Sequence, residues 1–210
     1  MDKTTLTVSS FDATAEAFER TFMDVSSYAP TLSAFAEKLP ARARVLDLGC
    51  GPGNVAKFLL GLRPDLRITG VDLAPAMIER FRKNVPAAEA MVMDLRQVGT
   101  LPPGWDAAVA AFCMPFFHHD EAATFLQSLG QLVMPQGHLY LSTMQGSSHG
   151  LEKTGFGGEH EFFFNYYQRT DLETMLTAAG FQVQSYEEQP YHEVNGPDLT
   201  DMLIIAKRRP

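Results

Sequence analysis

The segment Val45-Leu46-Asp47-Leu48-Gly49-Cys50-Gly51-Pro52-Gly53-Asn54 constrains the chain more than any other. A short apolar run enters it and three glycines stand at alternate positions. Helical spacing of apolar residues then resumes over 54–62, where Arg63-Pro64-Asp65 stops it. This reads as a strand, a tight loop and a helix. Glycines at alternate positions let the backbone turn through conformations costly for other residues and let its amides approach a ligand closely. The start of the helix beyond the turn adds a field that favours negative groups.

The same alternation continues downstream. Residues 66–73 read as a strand, 75–84 as a helix opened by proline and 88–93 as a third strand; 105–113 is a fourth, 120–133 a helix and 138–143 a fifth strand. Such a pattern predicts an α/β fold, with parallel strands and helices on both faces. Ahead of it, Phe11, Ala15, Phe18 and Phe22, then Leu32, Phe35 and Leu39, suit two amphipathic helices over 10–39, the second starting at Pro30. These make 1–40 an N-terminal helical cap. Between 145 and 169 the regularity lapses into glycines and the run Phe162-Phe163-Phe164-Asn165-Tyr166-Tyr167, which predicts an insertion over the site. A helix from Thr170-Asp171 to Gly180 follows. Residues 181–187 and 202–207 then read as two closing strands, an antiparallel pair joined by a loop containing Asn195-Gly196-Pro197-Asp198. With 210 residues and 45% hydrophobic composition, the chain suffices for one sizeable core, so 1–210 is read as a single domain.

Two acids follow the glycine loop at strand ends. Asp72, in Gly70-Val71-Asp72-Leu73, lies 23 positions after Gly49, a spacing at which a carboxylate can accept both hydroxyls of a ribose. Asp94, in Val92-Met93-Asp94-Leu95, follows the third strand, where it can accept from an adenine amino group. Taken singly, a glycine-rich turn or a helix-capping aspartate has a plainer structural reading. Together they converge on the carboxyl edge of one sheet, where open α/β sheets bind ligands. A dinucleotide is the rival ligand, but its loop commonly reads G-x-G-x-x-G. Here the third glycine comes one position earlier, and Asp94 would have no obvious partner.

On Asp47 to Gly53, Asp72 and Asp94, the chain from about residue 40 onward resembles the Rossmann-like, or class I, S-adenosylmethionine-dependent methyltransferase superfamily. The resemblance implies a seven-stranded, mostly parallel sheet with an antiparallel last strand, and S-adenosylmethionine as cofactor. It places Asp47, Gly49, Cys50, Gly51 and Gly53 under the methionine part, Asp72 and Leu73 at the ribose, and Asp94 and Leu95 at the adenine. Met77 matches a position that packs on the adenine ring, though it also suits an ordinary core methionine, and the backbone near Phe112 meets the methionine moiety. The implied activity is methyl transfer to a small-molecule acceptor. The alternative is a non-catalytic S-adenosylmethionine-binding module that acts through protein contacts.

Methyl transfer needs alignment and exclusion of water more than obligatory side chains. His118 and His119, after the fourth strand, are the general-base candidates, though their position just before Asp120-Glu121 suits an exposed turn better. With Asp120 they form no convincing ligand set, so no metal is expected. Cys113 suits packing or a place in the pocket wall. Tyr28 and Tyr166 are the candidates for acceptor contacts among aromatic residues that also suit core packing. Gly146-Ser147-Ser148-His149-Gly150 has no apolar helix behind it and so does not present a nucleophile as a hydrolase elbow would.

A formal charge of -8 disfavours a nucleic-acid partner. So does Phe112-Cys113-Met114-Pro115-Phe116, which departs from the Asp or Asn, Pro-Pro and aromatic of enzymes that methylate base amino groups. Cys50 and Cys113 are the two cysteines, no apolar run approaches a membrane span, and no signal segment opens the chain, so a cytoplasmic protein is expected. Oligomeric state stays open.

Overall fold

A computed structural model describes residues 2–192 and 198–210. Strands β1 (Arg44–Leu48), β2 (Arg67–Asp72), β3 (Glu89–Val92), β4 (Trp105–Ala111) and β5 (Val133–Met144) alternate with helices α3 (Asn54–Leu62), α4 (Pro75–Asn84) and α5 (His119–Leu132). The amino-terminal helices α1 (Lys3–Phe22) and α2 (Ala29–Ala36) precede them. After β5 come β6 (His149–Lys153), β7 (Glu161–Asn165), α6 (Arg169–Ala178), β8 (Phe181–His192) and β9 (Asp198–Arg208). The main sheet has seven strands in the order β3-β2-β1-β4-β5-β9-β8, and β6 pairs with β7 in a separate hairpin. Strands β1 to β5 pair in parallel, whereas β9, the last in the chain, runs antiparallel to both β5 and β8. The expected fold class is therefore present, reversed last strand included.

Each face of the sheet is covered because the helices carry apolar residues at helical spacing. Helix α5 buries Ala122, Phe125, Leu126 and Leu129, and with Leu172, Leu176 and Phe181 these cover one face. Val55 and Leu59 of α3, Ile78 and Phe81 of α4, and Leu32 and Phe35 of α2 cover the other. Burying each of the larger side chains contributes roughly 1.5–3 kcal/mol. The helices also hold the strands' carboxyl ends in line, which positions the site.

Three expectations need correcting. Helix α1 begins at Lys3, not near residue 10, because Asp2 caps it by accepting from the amides of Thr4 and Thr5 at 2.9 and 3.1 Å. Its buried face there is Thr7, Ser10 and Thr14, which no apolar periodicity reveals. The stretch 145–169 is more regular than expected, for it holds the hairpin, in register from His149 opposite Asn165 to Lys153 opposite Glu161. Strands β8 and β9 are also longer than expected, pairing out to His192 and Asp198, since polar residues continue the ladder past the apolar core. Of the loop expected between them, Asn195, Gly196 and Pro197 lie outside the described residues.

Candidate active site

The site is a cavity of about 290 Å³ at the carboxyl ends of the parallel strands. Its floor is the loop after β1, where Gly49, Gly51 and Gly53 have φ of 64°, 50° and 91°, all in the left-handed region. Space forbids side chains at two of them as well. A Cβ on Gly49 would lie 2.6 Å from Cβ of Cys113, and one on Gly53 would lie 2.6 Å from Cγ2 of Val85. The amides of Gly49 and Cys50 both donate to the Val71 carbonyl, at 2.8 and 3.0 Å. Gly51 donates its amide to Oδ2 of Asp72 and Ala74 donates to Oδ1, each at 2.9 Å. One carboxylate thus pins the glycine loop to the end of β2. Burial raises the Asp72 pKa above its ordinary value, against the lowering effect of these amides.

Asp47, the penultimate residue of β1, lies beneath the loop and is 2% exposed. Its Oδ2 is buried and has no hydrogen-bond partner among the described residues. Burial, and secondarily the charge of Asp72, pushes its pKa up to about 7. A buried carboxylate oxygen with no donor is costly, and this one belongs to a residue of the cavity wall. It suits a hydrogen-bond donor carried by a ligand.

The structure brings most of the expected cofactor residues together: Asp47, Gly49, Cys50, Gly51, Asp72 and Leu73 line the cavity, and so do Met77, Asp94, Leu95 and Phe112. Gly53 stands behind the loop, against Val85 and Phe81. Met77 is both wall and core, since it packs with Ala15 and Ala74 and against Val8, Phe11 and Phe18. The Asp94 carboxylate accepts from Nη2 of Arg96 at 2.6 Å and from the Arg96 amide at 2.9 Å, an internal partner that a strand-end reading did not foresee.

On the far side of the cavity, Phe112 has φ of 52°, a left-handed conformation unusual for a bulky residue. Its amide donates to the Ser142 carbonyl at 3.0 Å, and its ring lies 5.5 Å from that of Tyr28. The Tyr28 hydroxyl donates to Oδ2 of Asp201 at 2.7 Å, and that of Tyr166 to Oε2 of Glu152 at 2.8 Å. All four residues line the cavity, as does Ser142, whose buried Oγ lacks a partner among the described residues. Sequence reasoning missed Asp201, Ser142 and Glu152. The available signal was Asp201 itself, an acid opening the apolar run Met202 to Ala206.

The histidines are not brought to the site. Both are exposed and absent from the cavity wall; His118 packs its ring 4.8 Å from Phe163 and His119 packs 4.9 Å from Tyr167. The Cys113 thiol is buried against Gly49, and its pKa is pushed well up by that burial, as suits packing rather than nucleophilic attack.

Above the cavity, α1 and the hairpin close together through aromatic rings. Phe11 meets Phe116 at 5.1 Å and Phe162 at 4.8 Å, and Phe156 meets Phe18 and Phe22 at 5.2 and 5.4 Å. The Ser10 hydroxyl donates to the Glu161 carbonyl at 2.7 Å, and the Phe163 amide donates to Oγ1 of Thr7 at 3.0 Å. These bonds explain the polar buried face of α1: it completes the free edge of β7.

Compared with known proteins, residues 19–186 match the methyltransferase domain family. The chain belongs to it. The methyltransferase domain is 29% identical over 171 residues, 75% of the chain, to trans-aconitate 2-methyltransferase of Methylobacterium nodulans. It is 32% identical over 136 residues, 60% of the chain, to malonyl-[acyl-carrier protein] O-methyltransferase of Acetivibrio thermocellus. These matches span 65% and 47% of the two relatives' own lengths. Among solved structures, it resembles magnesium protoporphyrin IX methyltransferase of Synechocystis PCC 6803, with bound S-adenosylmethionine. There the TM-score is 0.74 at 16% identity, and 99% of this chain and 98% of that one are covered. The fold is that of the Rossmann-like S-adenosylmethionine-dependent methyltransferases.

Proposed function

We propose that the protein transfers a methyl group from S-adenosylmethionine to a small-molecule acceptor. The observation that carries this reading is the unpartnered Oδ2 of Asp47, buried beside a glycine loop where a side chain at Gly49 would collide with Cys113. Asp47 would receive the ammonium of the methionine part, the loop from Gly49 to Gly51 would lie along it, and Asp72 would hold the ribose. Asp94 and Leu95 would meet the adenine, with Met77 against its ring. When bound, S-adenosylmethionine supplies a methyl group on a positively charged sulfur, a donor reactive enough to need little further activation.

The chain's own contribution is orientation and dryness. The rings of Phe11 and Phe116, with Phe162 packed behind Phe11, shut one side of the cavity, while Phe112 and Tyr28 close another. Tyr28 and Tyr166, both in the cavity wall, would contact the acceptor.

Calorimetric titration of the ligand-free protein with S-adenosylmethionine and S-adenosylhomocysteine tests the reading, with NAD as control. Binding in the micromolar range, about -8 kcal/mol, weakened at least ten-fold by Asp72→Ala, is expected. No binding of either ligand, or binding of NAD in their place, would overturn it. Turnover with any acceptor, followed as release of S-adenosylhomocysteine, separates the enzyme from a binding module without catalysis.

A further inference from the structure

The acceptor half of the cavity has a chemistry of its own. Register across the sheet puts Asp47, Val109, Tyr140 and Ile205 in one row, and paired residues share a face. The next residues on that face toward the carboxyl edge of the parallel strands are Ala111, Ser142 and Leu203, then Met144 opposite Asp201. Tyr140, Ser142 and Asp201 therefore climb one face of the sheet in successive rows, and Tyr28 leans over them to bond Asp201.

Charge left outside ion pairs on this wall is acidic. Setting aside Asp47, Asp72 and Asp94 on the cofactor side, the carboxylate and cationic side chains left in the cavity wall are Asp24, Glu152, Asp201, Arg96 and Lys153. The two cations are already matched: Arg96 pairs with Asp94 and Glu121, and Lys153 hydrogen-bonds Glu159. An incoming carboxylate would meet the carboxyl groups of Asp201 and Glu152, to which the Tyr28 and Tyr166 hydroxyls already donate. A group that donates would meet acceptors: Asp201, 2% exposed, and the buried, unpartnered Oγ of Ser142. Apolar rings of Phe112, Tyr28, Phe116 and Phe164 complete the wall.

Resting on the methyltransferase reading above, we infer that the acceptor is a neutral or cationic molecule with an apolar body and an N–H or O–H donor. Asp201, positioned by Tyr28 and assisted by Ser142, receives that donor. The acceptor thus differs in charge class from the carboxylic acids in the names of the two relatives.

The test is a fragment panel in which each aromatic or aliphatic scaffold occurs as its amine, carboxamide and carboxylate. Binding is read by ligand-observed NMR on the protein saturated with S-adenosylhomocysteine. Calorimetry first shows whether S-adenosylhomocysteine binds, and its failure to bind would count against the methyltransferase reading rather than this one. Amines and carboxamides are expected to bind at least five-fold tighter than their matched carboxylates, with trans-aconitate absent from the binders. Asp201→Asn should cut the preference for amines over their matched carboxylates to below two-fold while S-adenosylhomocysteine affinity stays within two-fold. Tyr28→Phe, which keeps the carboxylate but removes its partner, should reduce that preference less. Carboxylates binding as well as their matched amines, or no amine or carboxamide binding at all, would overturn the inference, and the unsubstituted protein decides this without either variant.

Discussion

Cβ of Cys113, just past the end of β4, lies 2.6 Å from where a side chain on Gly49, just past the end of β1, would begin. The two neighbouring strand ends are packed so closely that the first glycine of the loop is fixed twice, by its φ of 64° and by that contact. Gly51 shares the left-handed conformation, at 50°, but its nearest atom would be Cε1 of Phe18 at 3.6 Å, an ordinary contact.

Alanine should therefore separate the two effects. Gly51→Ala adds backbone strain alone, about 1–2 kcal/mol. Gly49→Ala adds to similar strain the cost of overpacking, typically about 1–3 kcal/mol. Urea denaturation should rank Gly49→Ala as the more destabilised by at least about 1 kcal/mol. Equal losses would mean that Cys113 yields and the strand ends are not rigidly packed.

Asp47 predicts an unusual dependence of stability on pH. Its folded pKa, raised to about 7 by burial, exceeds the unfolded value of about 4. Between those values the folded chain holds a proton that the unfolded chain has released. Stability from this group is fully present below about pH 4 and lost as pH rises through about 7. Asp201, raised to about 6 by burial, adds in the same sense. His138, whose pKa burial lowers, contributes an opposite slope, so the informative quantity is the difference between Asp47→Asn and the parent. The variant should melt higher than the parent at pH 8, with the advantage shrinking toward pH 5, and should bind S-adenosylhomocysteine at least ten-fold more weakly. A variant less stable than the parent at pH 8 would show that the buried oxygen has a partner in solution.

How far the chain could be read without coordinates follows from what each residue depends on. Gly49, Gly51 and Asp72 were legible because their constraints are local to one strand, one turn and the next strand end. The first third of α1 was not, since Thr7, Ser10 and Thr14 are buried by hydrogen bonding rather than by hydrophobicity. The hairpin escaped because Phe162 and Phe163 are both buried, so β7 lacks the alternation that announces a half-exposed strand. Asp201 faces the cavity only because β9 inserts between β5 and β8, a strand order that no local pattern records.

Tyr167 holds the wall after β4 from below. Fully buried, its hydroxyl lies 3.0 Å from the Met114 carbonyl and 2.9 Å from that of Phe117, bracketing the turn that carries Pro115 and Phe116 to the cavity. Tyr167→Phe keeps the ring but leaves those carbonyls without this donor, a loss of about 1–3 kcal/mol. Hydrogen exchange should quicken at the amides of Phe116 and Phe117, which bond back to Cys113 and Met114. Unchanged exchange and stability would mean that the turn is held by packing alone.

Phe112 offers a direct measure of strain at the site. At a φ of 52° any residue with a Cβ has a cost that glycine avoids, about 1–2 kcal/mol. Glycine in turn gives the unfolded chain more freedom, which offsets roughly 0.4–1 kcal/mol of the gain. Phe112→Ala and Phe112→Gly both remove the ring beside Tyr28, so that loss cancels between them. The glycine variant should then be the more stable by up to about 1.6 kcal/mol, the reverse of the usual order for this pair. Chemical denaturation of both variants decides it. If alanine proves the more stable, the left-handed backbone at Phe112 is not held in solution, and the ring beside Tyr28 does not wall the cavity as described.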